Sequence, residues 1–576
     1  MKVLLNYLKP HSGWLLIAIS VLFTQAMCEL ALPDYMSKII DQGILQSDTS
    51  YIIQTGGVML LISLGSVIAA VGVGLIAARI AAKVAQFLRR DVFEKVNSFS
   101  SKEFNTFSTA SLITRTTNDI TQIQSVLVMM IRMVFYAPIM GLGGIIRALN
   151  KDVSMSWIIV LAISILFILI GTIMYLTLPR FKRIQKLIDQ LNLVIRENLT
   201  GMLVVRAFHT ERFEEERFDQ TNKNLSNVQL FANRMMNFMM PAMMLLMNLT
   251  SVLVIWVGAN QIQKGQLQVG DMIAFMQYAI QIIMSFLMIS IMFILIPRAA
   301  VSGKRIAEVL VIQNSIKDPI ESKKLVQANG IVTFNHVSFR YPGASEEVLH
   351  DINFVAEPGK TTAFIGATGS GKSTLINLIP RFYDVTEGEI LIDQVNVKDL
   401  RGQALRELIG YVPQKAMLFS GTIESNLQYG DASANEKELM AICEIAQASE
   451  FINTKPKKLQ TEIAQGGGNV SGGQKQRLSI ARALAKKAPI YIFDDSFSAL
   501  DFKTDMKLRK ALKSYTNQST VLLVAQRIST IMHAEQILVL DEGYIVGKGT
   551  HEELMKNCQV YQEIALSQLS KEELSE

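Results

Sequence analysis

The run GATGSGKS at 366–373 has the residue types and spacing to hold a chain of phosphates. Gly366, Gly369 and Gly371 let successive backbone N–H groups turn onto phosphate oxygens without Cβ clashes. Lys372 brings a cation for the β and γ phosphates, and Ser373 a hydroxyl for Mg²⁺. The preceding TTAFI reads as a strand, and from Thr374 the chain opens a helix whose N-terminus attracts anions. More than a hundred residues later the apolar run IYIFD reads as a buried strand ending in Asp494, the carboxylate expected to hold Mg²⁺ through water. These groups point to chemistry on ATP with Mg²⁺.

The elements that must position them fall in the second half of the chain. From 331 short strands (332–339, 362–365, 390–392) alternate with helices, which indicates an α/β domain with a largely parallel sheet over 331–576. A polar linker, 311–330, precedes it. Residues 1–310 are different. Six stretches are long and apolar enough to cross a bilayer, at 14–32, 56–78, 126–149, 155–178, 235–258 and 272–296. The first carries Glu29, has no small-residue cleavage site after it and is followed by further spans, so it reads as a retained helix. The fold class expected is therefore multi-domain: an all-α six-helix transmembrane domain and an α/β nucleotide-binding domain.

Composition agrees. Of 576 residues only 18% are charged, against roughly 25% in soluble proteins. The net charge of +6 is concentrated in two segments. Lys83, Arg89, Arg90, Lys95, Lys102 and Arg115 lie between spans two and three. Arg180, Lys182, Arg183, Lys186, Arg196, Arg206, Arg212, Arg217, Lys223 and Arg234 lie between spans four and five. By the positive-inside rule both segments are cytoplasmic, as are both termini. This accounts for the basic balance without nucleic acid. The two loops are about 45–55 residues long, far above the usual handful. Helical apolar spacing in 83–96 and 180–198 suggests ordered extensions that reach a cytosolic partner. Three scattered cysteines, Cys28, Cys443 and Cys558, make neither a disulfide framework nor a metal cluster.

The order of phosphate loop, YVPQ ending at Gln414, VSGGQ ending at Gln474 and the Asp494 strand resembles the nucleotide-binding domain of ATP-binding cassette (ABC) proteins. With six spans ahead of it, nearly the whole chain resembles an ABC half-transporter of the exporter type, the type IV fold. The resemblance implies a domain-swapped dimer in the bilayer with two ATP molecules sandwiched head to tail. It makes Tyr341 the aromatic that stacks on adenine, and Gln414 the residue that senses Mg²⁺ and contacts the membrane domain. Ser471, Gly472, Gly473 and Gln474 become the signature that closes on the γ-phosphate of the opposite subunit. Residues 498–501 match the loop at the dimer seam, and 461–467 an exporter-specific loop. The stretches 107–118 and 204–218 look like the two coupling regions.

Two positions depart from the family pattern. After the Mg²⁺ carboxylate the family has Glu; here it is Asp495, one methylene shorter, which sets the carboxylate back by roughly 1.5 Å. Misplacement on that scale can cost on the order of 10²-fold. In the switch after the next strand the family has His; here it is Gln526, which donates a hydrogen bond but neither carries charge nor shuttles a proton. Beside an intact signature, this pair predicts the degenerate-site subunit of a heterodimer, whose Ser471–Gln474 segment completes a competent site with a second half-transporter. A homodimer with two weak sites is the alternative.

The expected cargo is hydrophobic or amphiphilic small molecules of the multidrug type, exported across the bacterial plasma membrane. Met240 and Met244 lie in one four-spaced series on span five, and Met284 and Met288 on span six. Such polarisable walls suit varied apolar ligands, though ordinary helix packing accounts for them equally. Glu29 is an acid within a span, a position that attracts cations or relays protons. A lipid flippase or an importer of the same fold is the second transport reading. A soluble ABC ATPase acting on nucleic acid is disfavoured by the spans.

Overall fold

The structure, a computed structural model, describes residues 6–568 apart from 324, 326 and 327, and the side chains of all these but 182, 293, 294 and 298. Residues 1–5 and 569–576, assigned above to the first and last domains, lie outside the described residues, as do three linker positions and the Lys182 side chain. The chain divides into two compact units, Met1–Asn97 with Ser108–Ile312, and Ser98–Phe107 with Gln313–Glu576.

Among the described residues of the first unit the six long helices are α1 (Ser12–Lys38), α2 (Thr49–Asn97), α3 (Asn118–Lys151), α4 (Ser156–Thr200), α5 (Glu211–Gln263) and α6 (Val269–Val311). Each carries a stretch long and apolar enough to cross a membrane. A crossing takes about 20 residues. Yet α2 has 49 residues and α5 has 53, which is on the order of 75–80 Å at 1.5 Å per residue. The two basic segments between spans are therefore largely continuations of the spans. A stripe spaced by three and four keeps α2 helical past the lipid: Ala77, Ile80, Ala81, Val84, Leu88 and Val92 are all buried. Within the apolar stretch the order reverses. Leu60, Leu61, Leu64 and Ile68 are each more than half exposed, the apolar-outward face that suits lipid.

Helix pairing is close. α3 packs mainly on α6, α1 on α2 and α4 on α5. Gly143 and Gly144 of α3 permit this: a Cβ at the first would lie 2.4 Å from Leu30 Cδ1, and at the second 2.8 Å from Ile282 Cγ1. Ala26, Leu30, Met140, Met155 and Tyr278 form the core there. At the ends of α1, α3 and α6, Asp34 pairs with Arg147 (2.8 Å) and Lys151 (3.2 Å), and Lys151 with Asp271 (2.8 Å).

The second unit is α/β. A four-stranded antiparallel sheet is made of β1 (Val332–Phe339), β2 (Leu349–Ala356), β4 (Glu387–Ile392) and β5 (Val395–Asn396), in the order β2-β1-β4-β5. The main sheet contains β3 (Thr361–Gly366), β6 (Ile409–Val412), β7 (Ile490–Asp494), β8 (Thr520–Val524), β9 (Gln536–Asp541) and β10 (Tyr544–Gly549), in the order β10-β9-β3-β8-β7-β6. All its pairings are parallel except β9 with β10. In register, Val524 pairs with both Phe364 and Asp494, so three neighbouring strands end together. That shared carboxyl edge is where open α/β sheets bind ligands.

One segment between spans two and three belongs to this second unit. A capping box of Ser100 and Glu103 starts a short helix, Ser101–Thr106. Glu103 Oε1 accepts from Ser315 N (3.1 Å), and Asn105 Nδ2 donates to Tyr383 OH (3.3 Å). The segment that packs here is Ser98–Phe107, upstream of the expected 107–118; residues 204–218 stay with the first unit.

Candidate functional site

The phosphate loop leaves β3 at Gly366 and enters α7 (Lys372–Leu378) at Gly371. Both glycines are required by close approach. Gly366 has φ +153°, and a Cβ there would lie 2.0 Å from Leu540 O; Gly371 has φ +95° and would meet Leu349 Cδ2 at 2.7 Å. Gly369, at φ +90°, has open space beside it. Lys372 Nζ donates to Gly366 O (2.8 Å) and Ala367 O (2.7 Å), which holds the ammonium at the loop mouth. Burial pushes its pKa down, while Asp495 and Asp494 push it back up.

Ser373 Oγ donates to Asp494 Oδ1 at 2.9 Å, so the two expected Mg²⁺-holding groups are adjacent although 121 residues apart. Asp494 ends the fully buried β7, and burial raises its pKa, with a further push from Asp495. Asp495 is also raised, chiefly by burial. Its backbone sits at φ +46°, in the left-handed region that Asp tolerates better than most residues. Its N–H donates to Val524 O at 3.0 Å.

The two departures from the family pattern meet each other. Gln526 Nε2 donates to Asp495 Oδ2 at 2.7 Å, and Gln414 Nε2 reaches the same oxygen at 3.5 Å. Tyr341 stands against Phe339 (4.9 Å) and Tyr383 (5.3 Å), both near-perpendicular, and its OH lies 3.0 Å from Thr374 Oγ1. This links the aromatic wall to the helix of the phosphate loop.

Ser471, Gly472, Gly473 and Gln474 are not part of this cluster. Ser471 is the exposed N-cap of α8 (Gly472–Ala485), in a reciprocal box with Gln474: Gln474 N to Ser471 Oγ at 3.3 Å, Ser471 N to Gln474 Oε1 at 3.1 Å. A Cβ on Gly472 would meet nothing within 4 Å, so the helix start has open space beside it.

The expected cargo residues sit in different surroundings. Both Glu29 oxygens are engaged by neutral donors: Gln25 Nε2 and Ser66 Oγ at 3.0 Å on Oε1, and Tyr136 OH on Oε2. Met240 and Met244 are each 62% exposed on the outer side of α5, while Met243 packs inward; Met284 is partly exposed and Met288 half-buried on α6. An apolar groove of about 430 Å³ between α4 and α5 is lined by Leu161, Ile165, Phe238, Pro241 and Leu245 rather than by these methionines.

One contact had no sequence signal. Gln568, in α10 (Gln559–Gln568), donates through Nε2 to Gln526 O (2.8 Å) and accepts from Ile528 N (2.9 Å). No motif marks it; only the fold brings it to the switch.

Residues 15–310 match the ABC transporter transmembrane region and 349–498 match the ABC transporter family. An uncharacterized ABC transporter ATP-binding protein of Mycobacterium tuberculosis is 40% identical over 572 residues, covering 99% of this chain and 98% of that one. The ATP-dependent lipid A-core flippase of Pseudomonas aeruginosa is 32% identical, over 81% of this chain and 77% of its own length. Among solved structures, a bacterial Atm1-family ABC exporter with ATP bound superposes with TM-score 0.81 and 25% identity, over 97% of this chain and 99% of that one. The chain belongs to the ABC transporter family. It is an exporter-type half-transporter, a six-helix membrane region fused to an ATP-binding domain, of a class that drives export with ATP and works as a dimer in a lipid bilayer.

Proposed function

We propose that this chain is the slow-hydrolysing half of a heterodimeric exporter of hydrophobic or amphiphilic compounds. The observation that carries the reading is the 2.7 Å bond from Gln526 to Asp495. In a competent site the acid after the Mg²⁺ carboxylate must hold a water against the γ-phosphate, and the switch residue must face that phosphate. Here one N–H of the Gln526 amide is committed to Asp495 Oδ2, and the carboxylate, already one methylene short, is tied to that amide. Gln supplies no charge and accepts no proton in exchange.

ATP binding does not depend on these two residues. The glycine loop fits phosphate because Gly366 and Gly371 hold positive φ in close approach to Leu540 O and Leu349 Cδ2, where a Cβ would displace the loop, while Gly369 faces open space. The adjacency of Ser373 and Asp494 fits Mg²⁺, which when bound neutralises phosphate charge. In this reading Lys372 binds the β and γ phosphates, Tyr341 stacks on adenine, Thr374 steadies Tyr341, and Gln414 senses Mg²⁺. The exposed Ser471–Gln474 helix start serves the second chain's ATP. The basic inner segments support cytoplasmic termini in a plasma membrane.

Affinity purification of the tagged chain from its own membrane tests the pairing. A stoichiometric second half-transporter, with Glu after its Mg²⁺ carboxylate and His in its switch, is the expected result. A homodimer that pumps dyes at full rate in vesicles would overturn it. The similarity to a lipid A-core flippase favours one second reading, that the cargo is a lipid. Vesicles loaded with labelled lipid or with dye separate the two.

A further inference from the structure

The second unit has a cleft that ATP chemistry does not use. It encloses about 420 Å³, within the range of roughly 300–1,000 Å³ typical of small-molecule sites. It lies between α9 (Phe502–Tyr515) and the segment 529–534, beside β7 and β8. The floor is apolar and buried: Phe493, Phe497, Leu512 and Leu523. Phe502 and Met506, 69% and 53% exposed, stand at the mouth.

Charge around it is one-sided. Arg509, Lys510 and Lys513 line the cleft, and among the described residues no Asp or Glu does. Asp505 holds Arg509 at 2.9 Å and Glu535 holds Lys513 at 3.0 Å, both from outside the lining. Among the described residues Lys510 makes no ion pair. An apolar floor beneath one uncompensated cation is complementary to an apolar body carrying one negative charge.

The cleft also touches the switch. Phe497 and Thr530 are shared walls: they line a second, very small cavity with Asp495 and Gln526. Arg509 Nη1 donates to Ser529 O (2.6 Å) and Thr530 O (3.3 Å). At its other end α9 is capped by Asp501, through Thr504 N at 2.9 Å. A body wedged between α9 and 529–534 therefore pushes on groups one residue layer from the reacting carboxylate.

We propose that this cleft binds a small amphiphilic monoanion, a carboxylate on a flat or short acyl body, and that its occupancy alters the switch around Gln526. The test uses naphthalene-1-carboxylate and the full chain in lipid nanodiscs, by equilibrium dialysis with empty discs subtracted. Saturable binding of one probe per chain is expected, with weaker binding of 1-naphthol and of 1-naphthylmethylammonium. Lys510→Glu should weaken it about tenfold, the change that 1.4 kcal/mol makes. Met506→Trp should do the same by filling the mouth. Unchanged ATP binding reports that both variants fold. Bound probe should also slow amide exchange at Ile528–Thr530. Binding that is unsaturable, equal for the ammonium probe or insensitive to both variants overturns the site. Saturable binding without any change in exchange overturns its link to the switch.

Discussion

Asp494 carries a cost that the proposed Mg²⁺-holding role requires. Burial in β7 holds its pKa above the ordinary carboxylate range, with the Asp495 charge adding to that and the Ser373 hydroxyl opposing it. A raised folded pKa means the folded chain binds this proton more readily than the unfolded chain. The favourable contribution is therefore present below the unfolded value, about 3.9, and is lost as pH rises through the folded value. At neutral pH the charged group is a net destabiliser. Asp494→Asn, which still accepts from Ser373, should raise the melting temperature at pH 7, lose that advantage toward pH 4, and turn over no ATP. Equal shifts at both pH values would contradict the assignment. Gly366→Ala should abolish nucleotide binding, read by a labelled ATP analogue, because its Cβ would meet Leu540 O at 2.0 Å. The phosphate loop and Asp494 were legible in the sequence because their chemistry depends on local spacing. The mutual bond of Asp495 and Gln526 was not, since it joins residues 31 apart across two strands; sequence marked both as departures but not as partners.

At the scale of elements, the switch is held by helices on either side of it. α10 clasps it through the two bonds of Gln568, and α9 through Arg509. Gln568→Ala leaves Gln526 O and Ile528 N without their partner, a local loss of about 1–3 kcal/mol. Amide exchange at Ile528 should quicken by the corresponding factor while exchange in β7 stays as it was. No change at Ile528 would mean that the clasp is not populated. The six spans were readable because a crossing demands about 20 apolar residues. Their true lengths were less so. The helical stripe of α2 continues through Leu88 and Val92 with charged residues between, and a hydropathy reading ends where the helix does not. The contact of Ser98–Phe107 with its own nucleotide-binding unit had no sequence signal, because it rests on a cap at Ser100 and on Asn105 meeting Tyr383, neither of which is a motif.

For the whole molecule, cargo and asymmetry are the two matters to test. Glu29 is held by Gln25, Ser66 and Tyr136, from three helices and without a cation in any of these bonds. If it recognises cationic cargo, Glu29→Gln should lower efflux of cationic dyes and spare neutral ones; equal efflux of both would leave it a helix-packing group. The sequence could not place it, because which helices meet at a given depth is decided by packing of residues such as Gly143 and Gly144. Asymmetry has the more direct readout. Steady-state ATP turnover of the purified chain in nanodiscs should lie far below the ~10 s⁻¹ typical of enzymes, and the double variant Asp495→Glu with Gln526→His should raise it by roughly tenfold or more. Ordinary turnover by the unaltered chain, or no gain in the double variant, would contradict a self-locked site.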